Sequence, residues 1–556
     1  MSNSQGKIKG SEVIASALAD AGIDTIFTLA GGHFLPTYEA IGSQKRIEII
    51  AARHELGAGY MASGYALASG KTGVVFSGAP GPGATNLVTP VANAFADSIP
   101  LLVLTGQVDR RYVNRNILQY ADNIALFNQF CKSSIQAVSA VEIPNLIATS
   151  LQIASSDRPG PVQLDIPQNI QAELVNEYRK IEMAQLSSNS PSKNIIDKVI
   201  NLINESARPV IISGHGVIRS NGTDALSKCA QLLGAPVATS RSGIGSINSD
   251  NEHSIGMLGF YGTNTASEAV ASADLVIVIG CSLGEQTTYG WKPDLFSETS
   301  KIIQVDIDPK QPNLVYGVDI GIQCDAAFFL STLVERLSSK TKSTWYSKKP
   351  KPMPAKNNPA NGLSAADVLQ GLNKYISDKT LISGDIGNHR LWICDQLEIT
   401  CPERLLQSCE FDAMGFSLPA AIGAAISERS RKIVSISGDG GFIHTMGELA
   451  VIKELNLSIA IVIFIDGALG ILKHQAEEMW GRDYFVDLQP IEFTKVAEGF
   501  GIPAERIDKI EDLDDKISWA LEISGPSLLA IKIDKDEIFP PLRSKIEQRK
   551  RDLMTK

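Results

Sequence analysis

Residues 433–470, IVSISGDGGFIHTMGELAVIKELNLSIAIVIFIDGALG, place a glycine turn between two apolar runs. The β-branched run that begins at Ile433 predicts a buried strand, and it ends in the turn Gly438-Asp439-Gly440-Gly441. Glycines at that point let backbone N–H groups approach an anion closely. The apolar residues of 448–455 predict a helix whose N-terminus points at the same spot and adds its dipole. The turn therefore predicts a site for a phosphate-sized anion.

Two carboxylates close the two strands of this stretch. The second strand, 459–465, is followed by Asp466, which lies 27 positions after Asp439. Parallel strands carry ligands at their carboxyl ends, and a right-handed crossover can bring the two ends side by side. Two carboxylates beside a phosphate cradle suit Mg²⁺, which completes its shell with phosphate and water. Gly-Asp-Gly alone indicates only a tight turn, but with this spacing it predicts a phosphate ester bound through a divalent cation.

The composition is typical of ordinary globular domains. The chain has 556 residues, 44% of them hydrophobic, and a net charge of −10, which argues against a nucleic-acid partner. No apolar run is long enough to span a membrane, and the N-terminus MSNSQGKIKG lacks the apolar core of a signal peptide. We therefore expect a cytoplasmic protein. Its seven cysteines form no C-x-x-C pair, which indicates reduced, buried thiols.

Short apolar strands alternate with helical patterns along most of the chain. This alternation predicts an α/β fold of three consecutive parallel-sheet domains. A serine-rich segment at 187–192 predicts a linker after the first domain. The predicted boundaries are 1–185 for the first domain, 193–338 for the central domain, 339–362 for a Lys-, Pro- and Asn-rich linker, 363–540 for the third domain and 541–556 for a basic tail.

A second candidate site lies in the first domain, where Arg53-His54-Glu55 begins a helix rich in glycine and alanine. One interpretation is that Glu55 only complements the helix dipole. The other is that small residues let another surface approach, so that desolvation raises the pKa of Glu55 and suits it to proton exchange. The turn GAPGPG at 78–83 fails as a dinucleotide fingerprint, because its prolines remove two N–H donors. It predicts a rigid turn against another domain or a cofactor ring.

Several motifs along the chain together resemble one enzyme family. They are RHELGAGYMASGYA at 53–66, GAPGPGATN at 78–86, GQ at 106–107, RPGPVQLDIP at 158–167, MGFSLPAAIG at 414–423 and the 433–470 stretch. Their order resembles the acetolactate synthase-like family of thiamine-diphosphate enzymes over roughly residues 10–540. The usual family motif closes with Asn, where this chain has Asp466. The additional negative charge of Asp466 is expected to change the affinity for the metal or the choice of metal.

The resemblance implies pyrimidine-binding, central and diphosphate-binding domains. It also implies an active site between the first domain of one subunit and the third domain of another, hence a homodimer or homotetramer. Glu55 resembles the glutamate that hydrogen-bonds N1′ of the cofactor's aminopyrimidine, and Asp439, Asp466 and the backbone oxygen of Ala468 resemble the Mg²⁺ ligands. Met414 resembles the apolar wedge under the cofactor rings. The other implied cofactor contacts are Gly387, Asn388, His389, Asp412, Gly438, Gly440 and Gly441.

The pocket residues point to a particular subclass. Gly31-Gly32-His33 and Gln119 resemble the corresponding elements of benzaldehyde lyase and the 2-hydroxyacyl-CoA lyase-like members. His33 would then be a proton shuttle and Gln119 an orienting donor, although His33 could also be a satisfied turn residue. Gln475 stands where acetolactate synthase has a tryptophan. These features favour an enzyme that cleaves or forms the C–C bond beside a carbonyl, a 2-hydroxyketone or 2-hydroxyacyl lyase/carboligase.

Three alternatives remain at this point. The first is an acetolactate synthase that condenses 2-keto acids with CO₂ release, and the second is a flavin-dependent, pyruvate-oxidase-like oxidoreductase. FAD is doubtful because GCSLGEQTTYGW at 280–291 lacks the acidic and arginine run associated with bound flavin. Lys132 and the central domain could instead hold a nucleotide-like handle such as a CoA thioester. The third alternative, suggested by Asp466, is a catalytically weak binding member.

Overall fold

The structure, a computed structural model, describes residues 7–181, 190–337, 344–355, 359, 362–400, 402 and 404–554. Within these ranges the chain forms three six-stranded sheets in succession, and the strands of each sheet are parallel. The predicted fold of three consecutive parallel-sheet α/β domains is confirmed.

The first domain contains the elements that surround Glu55. In chain order they are β1 (Ile8–Lys9), α1 (Gly10–Asp20), β2 (Thr25–Leu29), α2 (Leu35–Gln44), β3 (Glu48–Ala51), α3 (Glu55–Ser69), β4 (Gly73–Ser77), α4 (Gly81–Asn86), α5 (Val88–Ala96), β5 (Leu101–Gln107), α6 (Asn123–Phe127), β6 (Ser133–Gln136), α7 (Ile143–Ser155), β7 (Pro161–Pro167), α8 (Gln168–Ala172) and β8 (Leu174–Val175). The sheet order is β3-β2-β4-β5-β7-β6, and β1 pairs with β8 as an antiparallel ribbon.

The central domain repeats this α/β arrangement. Its elements are α9 (Lys193–Glu205), β9 (Pro209–Ser213), α10 (His215–Arg219), α11 (Thr223–Leu233), β10 (Val237–Thr239), β11 (Ser254–Met257), α12 (Asn264–Ser272), β12 (Leu275–Ile279), β13 (Lys301–Asp306), β14 (Ile320–Gln323) and α13 (Ala326–Arg336). The sheet order is β11-β10-β9-β12-β13-β14. The order reverses between β9 and β12, which is where open parallel sheets form a crevice.

The third domain contains the stretch 433–470. Its elements are α14 (Ala365–Asn373), β15 (Leu381–Gly384), α15 (Asn388–Gln396), β16 (Leu405–Gln407), α16 (Ser417–Ser427), β17 (Ile433–Gly438), α17 (Asp439–Ile443), α18 (Leu449–Glu454), β18 (Ile459–Ile465), α19 (Gly470–Trp480), α20 (Phe493–Gly499), β19 (Ala504–Ile507), α21 (Leu513–Glu522), β20 (Ser527–Lys532) and α22 (Pro540–Met554). The sheet order is β16-β15-β17-β18-β20-β19, so the two strands predicted to lie side by side do so.

One local prediction in this domain is wrong. The helix that begins at the glycine turn is the short α17, whose first residue is Asp439, whereas the predicted helix α18 begins only at Leu449. Gly438 is still extended, with φ −77° and ψ 161°, so the chain passes directly from strand to helix there. The apolar periodicity located the longer helix but could not show the single turn in front of it.

Parts of the predicted linkers and tail lie outside the described residues. These parts are 187–189, 339–343, 356–358, 360, 361, 555 and 556, and Cys401 is also outside. The remaining six cysteines are free thiols, in line with the sequence.

In the described ranges, no helix combines the length and the apolar character needed to cross a bilayer. Most of the predicted basic tail forms helix α22, which packs on α19. The exact domain boundaries stay predictions.

The first and third domains share one apolar core. Buried side chains of α3, including Met61, and of α16, including Ile422, belong to the same cluster as the strand residues Phe27 and Ile461. The two helices touch through backbone. A Cβ on Gly64 would lie 2.0 Å from the Ala420 carbonyl oxygen. The small residues noted in the sequence therefore let the third domain approach α3, as one of the two interpretations of that helix required.

Replacing Gly64 by Ala should destabilise the protein, because neither backbone can give way at this distance. Overpacking of this kind costs about 3 kcal/mol. Gly42→Ala is the matched control, since Gly42 lies in helix α2 and a Cβ there meets no atom within 4 Å. That variant should be neutral or stabilising by about 0.5 kcal/mol. Thermal denaturation of both variants tests the prediction, and equal midpoints would contradict it.

Candidate functional site

A cavity of about 100 Å³ opens at the carboxyl ends of β15, β17 and β18. It is lined by nearly all of the residues implied as cofactor or metal contacts: Gly387, Asn388, His389, Met414, Gly438, Asp439, Gly440, Gly441, Asp466 and Ala468. Sequence positions as far apart as Gly387 and Ala468, 81 residues, thus meet at one edge of the sheet. The side chains of Asp412 and Glu55 do not line this cavity.

The glycines of the cavity are required by close packing. A Cβ on Gly440 would lie 2.8 Å from Leu469, and one on Gly441 would lie 3.0 Å from the Asp385 carboxylate. Gly387 has a backbone φ of 143°, which residues other than glycine rarely adopt. Bare backbone at these positions leaves the N–H groups of the turn accessible to an anion, as the sequence predicted.

Asp439 and Asp466 enter the cavity from neighbouring strands. Asp439 accepts hydrogen bonds from the backbone N–H of Gly440 at 2.8 Å and of Gly467 at 2.9 Å, and Asp466 accepts one from Ala468 at 3.1 Å. Burial raises the pKa of Asp439 to about 6, and burial together with the charge of Asp439 raises that of Asp466 to about 7. Two carboxylates that repel each other in one cavity favour a cation between them.

The cavity fits a phosphate ester with a divalent cation. Two of its buried polar atoms, Asn388 Oδ1 and His389 Nε2, have no hydrogen-bond partner among the described residues. Buried polar atoms are rarely left unpaired without a ligand or water. Across the described ranges, no three His, Cys, Asp or Glu side chains are grouped to hold a metal. A cation at Asp439 and Asp466 would thus take further ligands from backbone and phosphate oxygens, which is the preference of Mg²⁺.

Asp412 acts one layer behind the cavity. Its carboxylate accepts hydrogen bonds from Arg390 at 2.6 and 2.9 Å and from Arg241 of the central domain at 3.2 Å. Its φ of 57° helps to reverse the chain, so that two residues later the Met414 side chain reaches the cavity wall beside Gly440. The ion pairs account for the Asp412 side chain, while a cofactor contact through its backbone stays a prediction.

Asp385 is a residue of this site that sequence reasoning missed. It follows strand β15 as Asp439 follows β17, and it is 1% exposed. Its carboxylate accepts the backbone N–H of Ile386 at 2.8 Å and that of Gly415 at 3.1 Å, and burial raises its pKa to about 6. The signal was available, because a second Gly-Asp at a strand end stands in GDIGN at 384–388.

Asp385→Asn should loosen the loop that carries Met414. The amide would turn its N–H groups toward the Gly415 N–H, which contacts both carboxylate oxygens, and the lost charge-assisted bond corresponds to about a tenfold weaker cofactor affinity. Quenching of tryptophan fluorescence is a suitable measurement, since Trp392 lines the cavity. Asp514→Asn, an exposed change in the same domain, should bind as wild type. Equal affinities of all three proteins would contradict the prediction.

A second group of predicted residues meets in the first domain. Glu55 is 6% exposed at the start of α3, and its Oε2 accepts a hydrogen bond from Asn86 Nδ2 at 3.0 Å. Gly83 packs against the same carboxylate, with its Cβ position 3.2 Å from Oε1. The turn 78–83 therefore abuts Glu55 of the same domain, while its predicted contact with another domain or a cofactor ring stays a prediction. This group is separate from the cavity of the third domain.

His33 and Gln119 lie beside the same turn. The His33 backbone N–H donates to the Gly78 carbonyl at 3.2 Å, and burial lowers the pKa of its half-buried ring. Its Nδ1 is buried and has no partner among the described residues. Gln119 is exposed in a left-handed conformation, with φ of 63° and its carbonyl oxygen close to Gly81. The structure thus brings the predicted pocket residues together near Glu55.

A larger cavity of about 320 Å³ lies between the first and central domains. Its walls include Asp97, Arg158, His215 and Asp306, but Lys132 is not among them. The Lys132 ammonium donates to the carbonyl oxygens of Ile153 and, at 2.7 Å, of Ser156, where it caps helix α7. Lys132 therefore caps α7 away from this cavity, and a nucleotide-like handle in the central domain stays a prediction.

Comparison with known proteins agrees with the geometry. Three models of thiamine pyrophosphate enzymes match the chain: the N-terminal TPP binding domain at residues 8–126, the central domain at 196–333 and the C-terminal TPP binding domain at 385–531. The chain belongs to the thiamine pyrophosphate enzyme family. The predicted cofactor, thiamine diphosphate, is confirmed, and Mg²⁺ is typical of this family.

Individual relatives point to one branch of that family. The chain is 34% identical to the probable acetolactate synthase large subunit of Methanocaldococcus jannaschii, over 96% of this chain and 93% of that protein. It is 30% identical to the acetolactate synthase isozyme 1 large subunit of Escherichia coli, over 96% of both. It is also 30% identical to the mitochondrial acetolactate synthase catalytic subunit of Saccharomyces cerevisiae, over 95% of this chain and 81% of that protein. These relatives give no support to the predicted nearness to benzaldehyde lyase.

Proposed function

We propose that this enzyme condenses 2-keto acids with release of CO₂, the acetolactate synthase reaction that the sequence left as an alternative. The observation that carries the proposal is likeness over nearly the full length of several acetolactate synthases, at 30–34% identity. A match of this extent includes all three domains and not only the cofactor motif. The lyase interpretation rests on fewer residues and becomes the second candidate.

The cavity residues would hold the cofactor by its diphosphate. The backbone N–H groups of the glycine turn at 438–441 and the polar side chains of Asn388 and His389 face the space where the phosphates would lie. Asp439, Asp466 and the Ala468 carbonyl would hold Mg²⁺. Thiamine diphosphate, when bound, supplies a carbon nucleophile that attacks a carbonyl and accepts the electrons of the broken C–C bond. The chain contributes orientation and proton transfer.

We propose that a second copy of the chain completes the site with its own Glu55. The carboxylate of Glu55 would exchange a proton with N1′ of the aminopyrimidine. In a single chain Glu55 does not line the diphosphate cavity. Apolar side chains are exposed on the cavity wall, at the end of α19 and just after it: Leu472 is 49%, Trp480 68% and Phe485 101% exposed. An exposed apolar surface beside an incomplete site fits association of two copies.

His33 supports the second candidate function, a 2-hydroxyketone or 2-hydroxyacyl lyase. Its unpaired Nδ1 lies at the edge of the sheet where Glu55 begins α3, and its lowered pKa keeps the ring neutral near pH 7. A neutral imidazole can accept a proton from a substrate hydroxyl. In the synthase interpretation the same side chain would be structural.

A turnover assay with Mg²⁺ and thiamine diphosphate separates the two candidates. Purified enzyme would receive pyruvate alone, then benzoin and a 2-hydroxyacyl-CoA, while CO₂ and aldehyde are followed. We expect acetolactate and CO₂ from pyruvate. Aldehyde without CO₂ would overturn the synthase proposal and give His33 a working role. An absorbance band at about 450 nm in the purified protein would indicate flavin and favour the oxidoreductase alternative.

A further inference from the structure

Glu448 of the third domain reaches across to the start of helix α3. This side chain is 2% exposed, and its carboxylate accepts the backbone N–H of Arg53 at 3.0 Å and of His54 at 3.0 Å. Gly57 provides the space, because a Cβ there would lie 2.2 Å from Glu448 Oε1. The residue that follows these two N–H groups is Glu55. A carboxylate of one domain thus fixes the backbone that presents Glu55 of the other.

Asp97 makes the corresponding contact in the opposite direction, from the first domain to the backbone of the third. It caps the C-terminus of α5, and its Oδ1 accepts the backbone N–H of Cys409 at 3.0 Å and of Glu410 at 2.8 Å, both in the third domain. From the same helix, Asn93 Oδ1 accepts the Ser408 hydroxyl at 2.6 Å. This segment leads within four residues to Met414 on the cavity wall.

We propose that Glu448 and Asp97 are reciprocal positioning residues, each of which fixes, in the other domain, the segment that carries a cofactor contact. The inference rests on the proposed function of Glu55 and Met414. One carboxylate with two oxygens can serve two consecutive N–H donors, and such charge-assisted bonds are about twice as strong as neutral ones. In Glu448→Gln the amide would turn a donor toward the Arg53 N–H, which contacts both carboxylate oxygens. In Asp97→Asn the charge that supports both bonds to Oδ1 is lost, and the new amide would meet Asn93 Nδ2, which donates to Oδ2 at 3.0 Å.

The arrangement connects two different active sites through one chain. If Glu55 completes the site of a second copy, Glu448 sets the geometry of the partner site, while Asp97 sets the geometry of the chain's own cavity. Loss of one carboxylate should therefore disturb one function and spare the other. A general loosening of the domain contact would disturb both, so the two possibilities give different results.

Amide hydrogen exchange of the cofactor-free enzyme tests the contacts directly. Glu448→Gln should speed exchange about tenfold in peptides that cover residues 53–56, with little change at 409–414. Asp97→Asn should give the opposite pattern. Glu454→Gln is the matched control, since this exposed glutamate pairs with the Arg53 guanidinium and not with its backbone. If Glu448→Gln and Asp97→Asn leave both peptides as in wild type, or loosen both peptides equally, the proposal is wrong.

Function provides a second readout in the loaded enzyme. Glu448→Gln should lower kcat about tenfold with an unchanged Kd for thiamine diphosphate, and Asp97→Asn should raise that Kd about tenfold. Glu448→Asp, which keeps the charge, should recover part of kcat. A wild-type protein that binds no thiamine diphosphate would refute the proposed function but leave the exchange result intact. Normal binding and turnover in both variants would refute the positioning roles alone.

Discussion

Glu55→Gln is expected to lower kcat by about a hundredfold or more while leaving the Kd for thiamine diphosphate nearly unchanged. General acid–base groups contribute about 10² to 10⁴ to rate, and the amide keeps the shape of the side chain but cannot exchange a proton. Glu55 is buried against Asn86 and the turn 78–83, so the substitution preserves packing. Steady-state turnover and tryptophan quenching give the two quantities separately.

The matched control for this experiment is Glu39→Gln. Glu39 lies on helix α2 of the same domain and its Oε1 accepts the Ser43 hydroxyl in an exposed position. It should retain wild-type kcat. Turnover of Glu55→Gln at the wild-type rate would remove the proposed role of Glu55, and a large rise in its Kd would assign Glu55 to binding rather than proton transfer.

Asp439→Ala should abolish cofactor uptake that depends on Mg²⁺. The variant removes one of two carboxylates from the cavity together with the bonds that Asp439 makes to Gly440 and Gly467. A lost metal ligand commonly weakens binding by more than the 10- to 100-fold effect of its supporting residues. Calorimetric titration with thiamine diphosphate, with and without Mg²⁺, measures the effect, and chelation of wild-type enzyme should reproduce it.

An exposed aspartate of the same domain serves as the comparison. Asp508 pairs with Arg506 at the surface, and Asp508→Ala should leave the titration unchanged. Cofactor affinity of Asp439→Ala that still increases on addition of Mg²⁺ would show that the metal is held elsewhere. The same titrations on Asp466→Asn measure how the extra charge of this chain affects metal affinity.

Strong local patterns in the sequence were enough to predict strands β17 and β18, the glycine turn and the carboxylates that close them. The reason is that buried parallel strands are continuous apolar runs, and their carboxyl ends must meet at one edge. The cavity residues far from this stretch, such as Asn388 and Met414, came from family resemblance and not from spacing.

What could not be predicted are contacts between distant parts of the chain. Nothing near Glu448 in the sequence shows that its carboxylate binds backbone N–H groups almost 400 positions earlier. Asp97 acts in the same way, through backbone groups more than 300 positions later that carry no residue signature. The contact of Lys132 with the end of α7 is a further example, since it depends on where that helix stops. Such assignments require the tertiary structure.

The apolar core shared by α3 and α16 has a consequence during synthesis on the ribosome. Helix α3 ends at Ser69, whereas α16 begins only at Ser417, after the whole central domain. At the usual elongation rates of about 5–20 residues per second, roughly 20 to 70 s separate the two helices. During that interval the apolar face of α3 lacks its intramolecular partner. The first domain has one apolar cluster of its own, but the cluster around α3 is completed only by the third domain. This uncovered face of the nascent first domain is therefore expected to be a substrate for chaperones, whereas the apolar clusters of the central domain need no later segment and allow it to fold as it emerges.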